Sequence, residues 1–231
     1  MTASALERMK AALRRRAPLL YQAAHRVAAR ARSRRALWSR RYEEAAIAEG
    51  ESRSGAGSNL ARTAAVRAEL PGLLRELGVR RFLDLPCGDH HWMQTVELAG
   101  IEYVGADIVE ELVNENQRRH GGPAKRFLVL DLVRDLPPRA DLVLCRDCLV
   151  HLSLDEAQAA LRQLRASGST WLLATTFPSL PRNEDTELGR WRPLNLCRPP
   201  FSLAAPLRLV DERIGEQLTP EYDKFLGLWR L

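Results

Sequence analysis

Four aspartates, Asp84, Asp107, Asp131 and Asp147, each stand at or near the end of a short apolar run. Spacings of 23 and 24 residues separate the first three, close to one strand-and-helix unit each. One carboxylate in such a place is ordinary, but four in series form a pattern. A carboxylate withdrawn from water needs hydrogen-bond donors to offset its lost hydration. A ribose diol, an adenine amino group and an ammonium would supply them, and a sulfonium would supply opposite charge. The first aspartate belongs to the stretch FLDLPCGDHHWM, residues 82–93, where Pro86, Cys87, Gly88 and Asp89 form a tight turn ahead of His90 and His91. A metal site, a thiol site and the floor of a nucleotide pocket are the chemistries such a stretch could hold.

The metal and thiol readings are weak on spacing. His90 and His91 are adjacent, so on a helix they point in different directions and do not share a ligand. Cys145 and Cys148 make one Cys-x-x-C pair with no second pair to complete a zinc set, and Cys145 lies inside an apolar run. No metal is expected. Asp147 and His151 are four residues apart. If that segment is helical they share a face, and a histidine of near-neutral pKa could take a proton while the aspartate orients it. The competing reading has His151 packed against the sheet. The Pro-rich stretch 178–201 is long enough to be a lid or binding loop, with Trp191, Arg192 and Asn195 as substrate-side candidates. The alternative is a packed connector.

These residues need elements to hold them. From Arg80 onward, apolar runs at 81–85, 101–107, 126–131, 140–147, 170–177, 206–212 and 225–231 alternate with helical patterns, including residues 89–100 and 108–120. The pattern SLDEAQAALRQLRASG carries a capping box at Ser153 and Glu156, a buried stripe at Leu154, Ala157, Leu161 and Leu164, and a stop at Gly168. An earlier helix is expected from a cap at Ser58 or Asn59 to a stop at Gly78. Near-continuous apolar strands separated by helices imply a parallel sheet covered on both faces. The last two runs have no helical pattern between them and should pair antiparallel. The expected fold is therefore α/β, a Rossmann-like, seven-stranded, mostly parallel sheet with a C-terminal antiparallel hairpin and helices on both faces. In such sheets ligands bind beyond the carboxyl ends of the strands, where the four aspartates lie.

The overall charge of +6 is unevenly spread. Met1 to Tyr42 holds twelve Lys/Arg and one acid, a net charge of about +11, and the rest is near −5. A basic arm, residues 1–35, helical or partly disordered, is expected ahead of a globular domain, residues 36–231. The arm could touch anionic membrane or an acidic partner, act as a transit peptide, or simply be solvated. An acidic body gives no support for nucleic-acid binding. No apolar run approaches the ~20 residues that span a bilayer. Four scattered cysteines and no secretory signal point to a reducing, cytoplasmic setting.

The ordered motifs resemble the class I S-adenosylmethionine-dependent methyltransferases over roughly Ser54 to Leu231. Asp84, Pro86, Cys87, Gly88, Asp89, Trp92 and Met93 also resemble a bacterial subgroup whose first motif reads Asp-x-Pro-Cys-Gly-Asp. The segments SGAGS, CRDCLVHL and WRPLNL look like that subgroup too. The resemblance implies S-adenosylmethionine as cofactor and a small-molecule or glycan acceptor methylated on oxygen or nitrogen. It places Asp107 and Ile108 at the ribose, and Asp131 and Leu132 at the adenine. Asp84 and Asp89 fall near the methionine end, and Pro86, Cys87, Gly88, Trp92 and Arg146 complete the cofactor-binding set. The family's first loop usually has three glycines, whereas Pro86 and His90 stand at the first and third here. Gly88 alone still permits close backbone approach, and a cofactor without phosphate needs no more. The same departure argues against a dinucleotide, whose pyrophosphate wants Gly-x-Gly-x-x-Gly. A non-catalytic protein that binds S-adenosylmethionine or S-adenosylhomocysteine is the alternative function.

Overall fold

The computed structural model describes residues 34–45, 50–212 and 223–231, so expectations for residues 1–33 lie outside the described residues. Seven strands form one sheet among them: β1 (Arg81–Asp84), β2 (Glu102–Asp107), β3 (Lys125–Val129), β4 (Leu142–Cys145), β5 (Trp171–Thr176), β6 (Arg208–Asp211) and β7 (Phe225–Arg230). Their order is β3-β2-β1-β4-β5-β7-β6. The pairs from β3 to β5 are parallel, and β7 is antiparallel to both β5 and β6. This is the expected Rossmann-like sheet, with the hairpin inserted so that β7 stands between β5 and β6.

The helices are α1 (34–45), α2 (Ala64–Glu76), α3 (Glu110–His120) and α4 (Leu154–Ala166). Strand residues alternate between two cores because side chains have a period of two. Leu83, Val143 and Leu172 face α4 and the stretch around Leu194 and Leu196. Phe82, Leu142, Leu144 and Leu173 face α2 and α3. Helix α4 begins in the expected capping box, Ser153 accepting from Glu156 N–H. Helix α2 ends at Glu76 and is closed off by Gly78, in the left-handed region with φ 63°. There the N–H of Val79 bonds Leu74 O and that of Gly78 bonds Arg75 O, which satisfies two terminal carbonyls. In α3, acids open the first turn and basic residues fill the last, as the helix dipole favours.

Three local expectations differ from what forms. Residues 89–100 hold a single 3-10 turn, Met93–Thr95, in place of a helix. His90 adopts φ 56° there, and the Asp89 carboxylate accepts from Ser52 Oγ and Arg53 N–H rather than capping a helix. Helix α2 starts at Ala64, because Thr63 turns its hydroxyl back to Asn59 O and residues 56–58 form their own 3-10 turn. Asp147 and His151 do not share a helix face. Asp147 is left-handed at φ 52°, and only Leu149–His151 make a 3-10 turn.

Candidate active site

A cavity of about 560 Å³ opens beyond the carboxyl ends of β1 to β5. Each strand delivers its first residues past the sheet into the wall: Asp84 to Gly88 from β1, Asp107 and Ile108 from β2, Leu130 to Val133 after β3, Arg146 to Cys148 from β4 and Phe177 from β5. Ser54 to Ser58 closes one side, and Arg34, Trp38 and Tyr42 come from α1. Those three residues lie four apart, so one face of α1 looks into the cavity.

Asp107 is buried, and both of its oxygens are engaged. Oδ2 accepts from Gly88 N–H at 3.2 Å and Oδ1 from Val109 N–H at 3.0 Å. The second bond is a local cap ahead of α3, while the first ties the β1 turn to the β2 end. Burial lifts its pKa to about 6 against these donors. Asp84 is 2% exposed, and burial lifts it to about 7 although Tyr103 Oη donates to it at 2.7 Å. Gly88 has φ 54°, and a Cβ there would collide with Ser54 Oγ, so glycine is required where the loop crosses the turn. Burial also holds the Cys87 thiol well above its ordinary pKa, which keeps it protonated and unreactive. Trp92 lies in the wall with the Arg146 guanidinium 5.6 Å from its ring centre.

Asp131 meets a partner that spacing did not suggest. Arg34 Nη2 donates to its Oδ2 at 2.7 Å, while Nη1 reaches Glu156 at 2.9 Å. Arg34, counted with the basic arm in the sequence, is 3% exposed and packs into the domain. The rest of α1 is tied down nearby: Arg41 donates to Gly189 O at 2.6 Å, and Tyr42 Oη lies 3.2 Å from Ser54 Oγ.

At the other half of the sheet, four charges alternate in sign. Lys224 Nζ stands 2.6 Å from Asp147 Oδ2 and 3.3 Å from Glu212 Oε2. Arg146 stands 3.2 Å from Asp147 and 2.7 Å from Glu212. Burial alone would raise the Asp147 pKa, but Lys224 and Arg146 hold it well below the ordinary carboxylate range. Thr175 Oγ1 donates to Asp147 Oδ1 at 3.2 Å and accepts its backbone N–H at 2.8 Å. The Asp147 carboxylate is thus committed to Lys224, Arg146 and Thr175, and does not hydrogen-bond the His151 ring. His151 lines the cavity edge-on to Trp38, centroids 5.5 Å apart. Its Nδ1 has no partner among the described residues. Burial, opposed by Asp147, lowers its pKa and keeps the imidazole neutral at pH 7.

The other candidates separate clearly. Trp191 is in the cavity wall and 49% exposed. Arg192 and Asn195 are outside that wall, and both brace the connector. Arg192 donates to Glu184 O, Leu149 O and Leu152 O, and Asn195 to Pro178 O and Leu180 O. Asp89 is also outside the wall and staples residues 52–54 over the β1 turn. His90 turns inward to Tyr103 while His91 meets Glu51 at 3.0 Å. No group of three or more potential metal ligands occurs among the described residues. Arg34, Trp38, Tyr42, Glu212 and Lys224 went unread. Only the four-residue spacing of the first three was a visible signal.

An adenosyl amino acid fits this wall. Buried carboxylates that burial pushes toward protonation are offered for a diol and an ammonium, beside apolar Leu130, Leu132 and Val133. Residues 82–167 match the family model described as a methyltransferase domain. No curated protein matches the sequence. Among solved structures, magnesium protoporphyrin IX methyltransferase of Synechocystis, with bound S-adenosylmethionine, is 17% identical. The match covers 72% of this chain and 80% of that one, with a TM-score of 0.50. The N-terminal domain of EvdMO1, in the presence of S-adenosylhomocysteine and D-fucose, is 19% identical over 71% of this chain and 82% of that one, with a TM-score of 0.51. At such identities the likeness is one of fold.

Proposed function

We propose that this chain, an S-adenosylmethionine-dependent methyltransferase by its matched domain and cavity, methylates a hydroxyl or amine of a small-molecule or glycan acceptor. The observation that carries the reading is one cavity, walled by Asp84, Asp107 and Asp131 on one half of the sheet and by His151, Phe177 and Trp191 toward the other. Its volume is in the range of ligand sites, roughly 300–1,000 Å³. The Asp84-x-Pro86-Cys87-Gly88-Asp89 turn supports placement in the bacterial subgroup with that motif, and the scattered cysteines support a cytoplasmic setting.

When bound, S-adenosylmethionine supplies a methyl group on a sulfonium, open to in-line displacement. The protein then contributes chiefly position and an excluded solvent. Asp107 keeps lone pairs for the ribose hydroxyls beyond those given to Gly88 and Val109. Asp131 and Leu132 would border the adenine, and Asp84 would face the ammonium. His151, neutral at pH 7, takes the proton that the acceptor loses. Asp147, locked by Lys224 and Arg146, stays anionic and anchors that wall. Trp38 and Trp191 shield the acceptor from water.

The test is incubation of the protein with methyl-labelled S-adenosylmethionine and cell extract, followed by identification of the labelled product. A labelled metabolite or glycan is the expected outcome. Absence of protein-dependent labelling across extracts, with intact cofactor binding, would favour the non-catalytic alternative.

A further inference from the structure

Asp84 also ends a buried polar line that runs away from the cavity. Tyr103 Oη lies 2.7 Å from Asp84 Oδ2 and 3.1 Å from His90 Nδ1. His90 Nε2 lies 3.4 Å from Lys125 Nζ. Tyr103 and His90 are each 1% exposed, and Lys125 is half-buried at the start of β3. None of the three lines the cavity.

The proton positions follow from the partners. A lysine ammonium donates and does not accept, so His90 Nε2 is the acceptor. Burial, with Lys125 and His120 beside it, lowers the His90 pKa to about 3, so the ring is neutral at pH 7. Its one proton is then on Nδ1 and points at Tyr103 Oη. The phenol hydrogen is left to donate to Asp84, whose carboxylate accepts. Three donors in line all point toward the cavity, and each polarises the next. His90 is held for this in the left-handed region, φ 56°, which non-glycine residues seldom adopt.

We infer that Lys125, His90 and Tyr103 are positioning residues that draw Asp84 toward its ionised form and aim it at the ammonium of the cofactor's amino-acid end. This rests on the methyltransferase reading above. Asp84 needs the help. Burial and the Asp107 charge from the end of β2 favour its neutral form, and Arg146 beyond β4 opposes them. Facing His90 are Tyr103 from β2, Lys125 and Phe127 from β3, and His120 from the end of α3. No carboxylate is among them, so nothing there favours a charged imidazole.

The experiment compares two ligands by calorimetry from about pH 6 to about pH 8. S-adenosylhomocysteine carries the ammonium; 5′-methylthioadenosine keeps the adenosyl part and lacks it. In Tyr103→Phe the pH at which S-adenosylhomocysteine affinity falls away should move up by about one unit, a roughly fivefold higher Kd at pH 7 that grows toward tenfold at pH 6. Lys125→Met should move it the same way by a smaller amount, about threefold in Kd, and Lys125→Arg should restore the wild-type profile. The 5′-methylthioadenosine Kd should stay unchanged in every variant. Weakening of both ligands together, a pH-independent offset, or no change in Lys125→Met would overturn the relay. If Tyr103→Phe fails to fold, the half-buried Lys125 variants decide alone. Wild-type protein that binds both ligands with no pH-dependent difference would also overturn the relay and leave the methyltransferase reading standing. Wild-type protein that binds neither would remove that reading and the relay with it.

Discussion

Arg34 Nη2 stands 2.7 Å from Asp131 Oδ2, across 97 residues of chain. The same guanidinium reaches Glu156 at 2.9 Å, and all three side chains are buried. Removing one partner of a buried ion pair leaves uncompensated charge, typically at about 3–5 kcal/mol. Arg34→Ala should therefore lower urea-unfolding stability by about that amount, and Arg34→Lys should recover only part, since an ammonium lacks the fork that spans two carboxylates. A loss under about 1 kcal/mol would mean that α1 does not anchor through this residue.

Asp107→Ala should weaken S-adenosylhomocysteine and 5′-methylthioadenosine alike, by about 1–3 kcal/mol, because both carry the ribose diol. NADH should show no comparable binding to the wild type. Unchanged affinity for either adenosyl ligand would remove Asp107 from the ribose site.

Proton release should accompany cofactor binding near pH 6. Burial lifts Asp84 to about 7 and Asp107 to about 6 from an ordinary 3.8. Without ligand, the folded chain retains protons across that window that the unfolded chain has released. The stability from these groups is present below pH 3.8 and lost as pH rises through 6 and 7. A bound ammonium and diol favour the ionised carboxylates and expel those protons. Binding enthalpies of S-adenosylhomocysteine in phosphate and in imidazole at pH 6 should differ by the number of protons released times the difference between the two buffers' heats of ionisation; equal enthalpies would refute the linkage.

His151→Ala should slow turnover by about 10²- to 10⁴-fold, the usual loss of a general base, with little change in cofactor Kd. Because burial lowers the His151 pKa, the base form is already present at pH 7, and the wild-type rate should fall only on acidification below that. Melting temperature measured on the same samples separates a chemical loss from a collapsed wall. Near-wild-type turnover would leave positioning alone to account for the rate.

The sheet and the aspartates were legible because strands buried on both faces read as apolar runs, and the residue that follows each run falls at the ligand edge. The spacing of Asp84, Asp107 and Asp131 carried that much. Arg192 and Asn195 fall outside the cavity wall, and the sequence could not have said so: in a long connector, a polar side chain that braces carbonyls has the same sequence signature as one that meets a ligand. Asp147 and His151 were paired on helical spacing, but a left-handed Asp147 cancels any such spacing, and nothing in the residue type announces it. Arg34 was hidden among twelve basic residues, since charge counts do not distinguish a solvated arginine from one that finds two buried acids 97 and 122 residues away.

The position of β7 bears on how the chain is made. A nascent chain that has emerged as far as β6 holds β1 to β5, which pair with one another in parallel, but β6 lacks its strand neighbour, because among the described residues its only strand partner is β7. Until that later segment leaves the ribosome, the free flank of β5 offers an open row of backbone donors and acceptors, and the apolar face above it lacks Leu226 and Leu228. Synthesis that pauses between residues 211 and 225 would thus expose an edge able to recruit other chains. Codon choice or chaperone supply over that interval should govern soluble yield more than at any earlier point of the sheet.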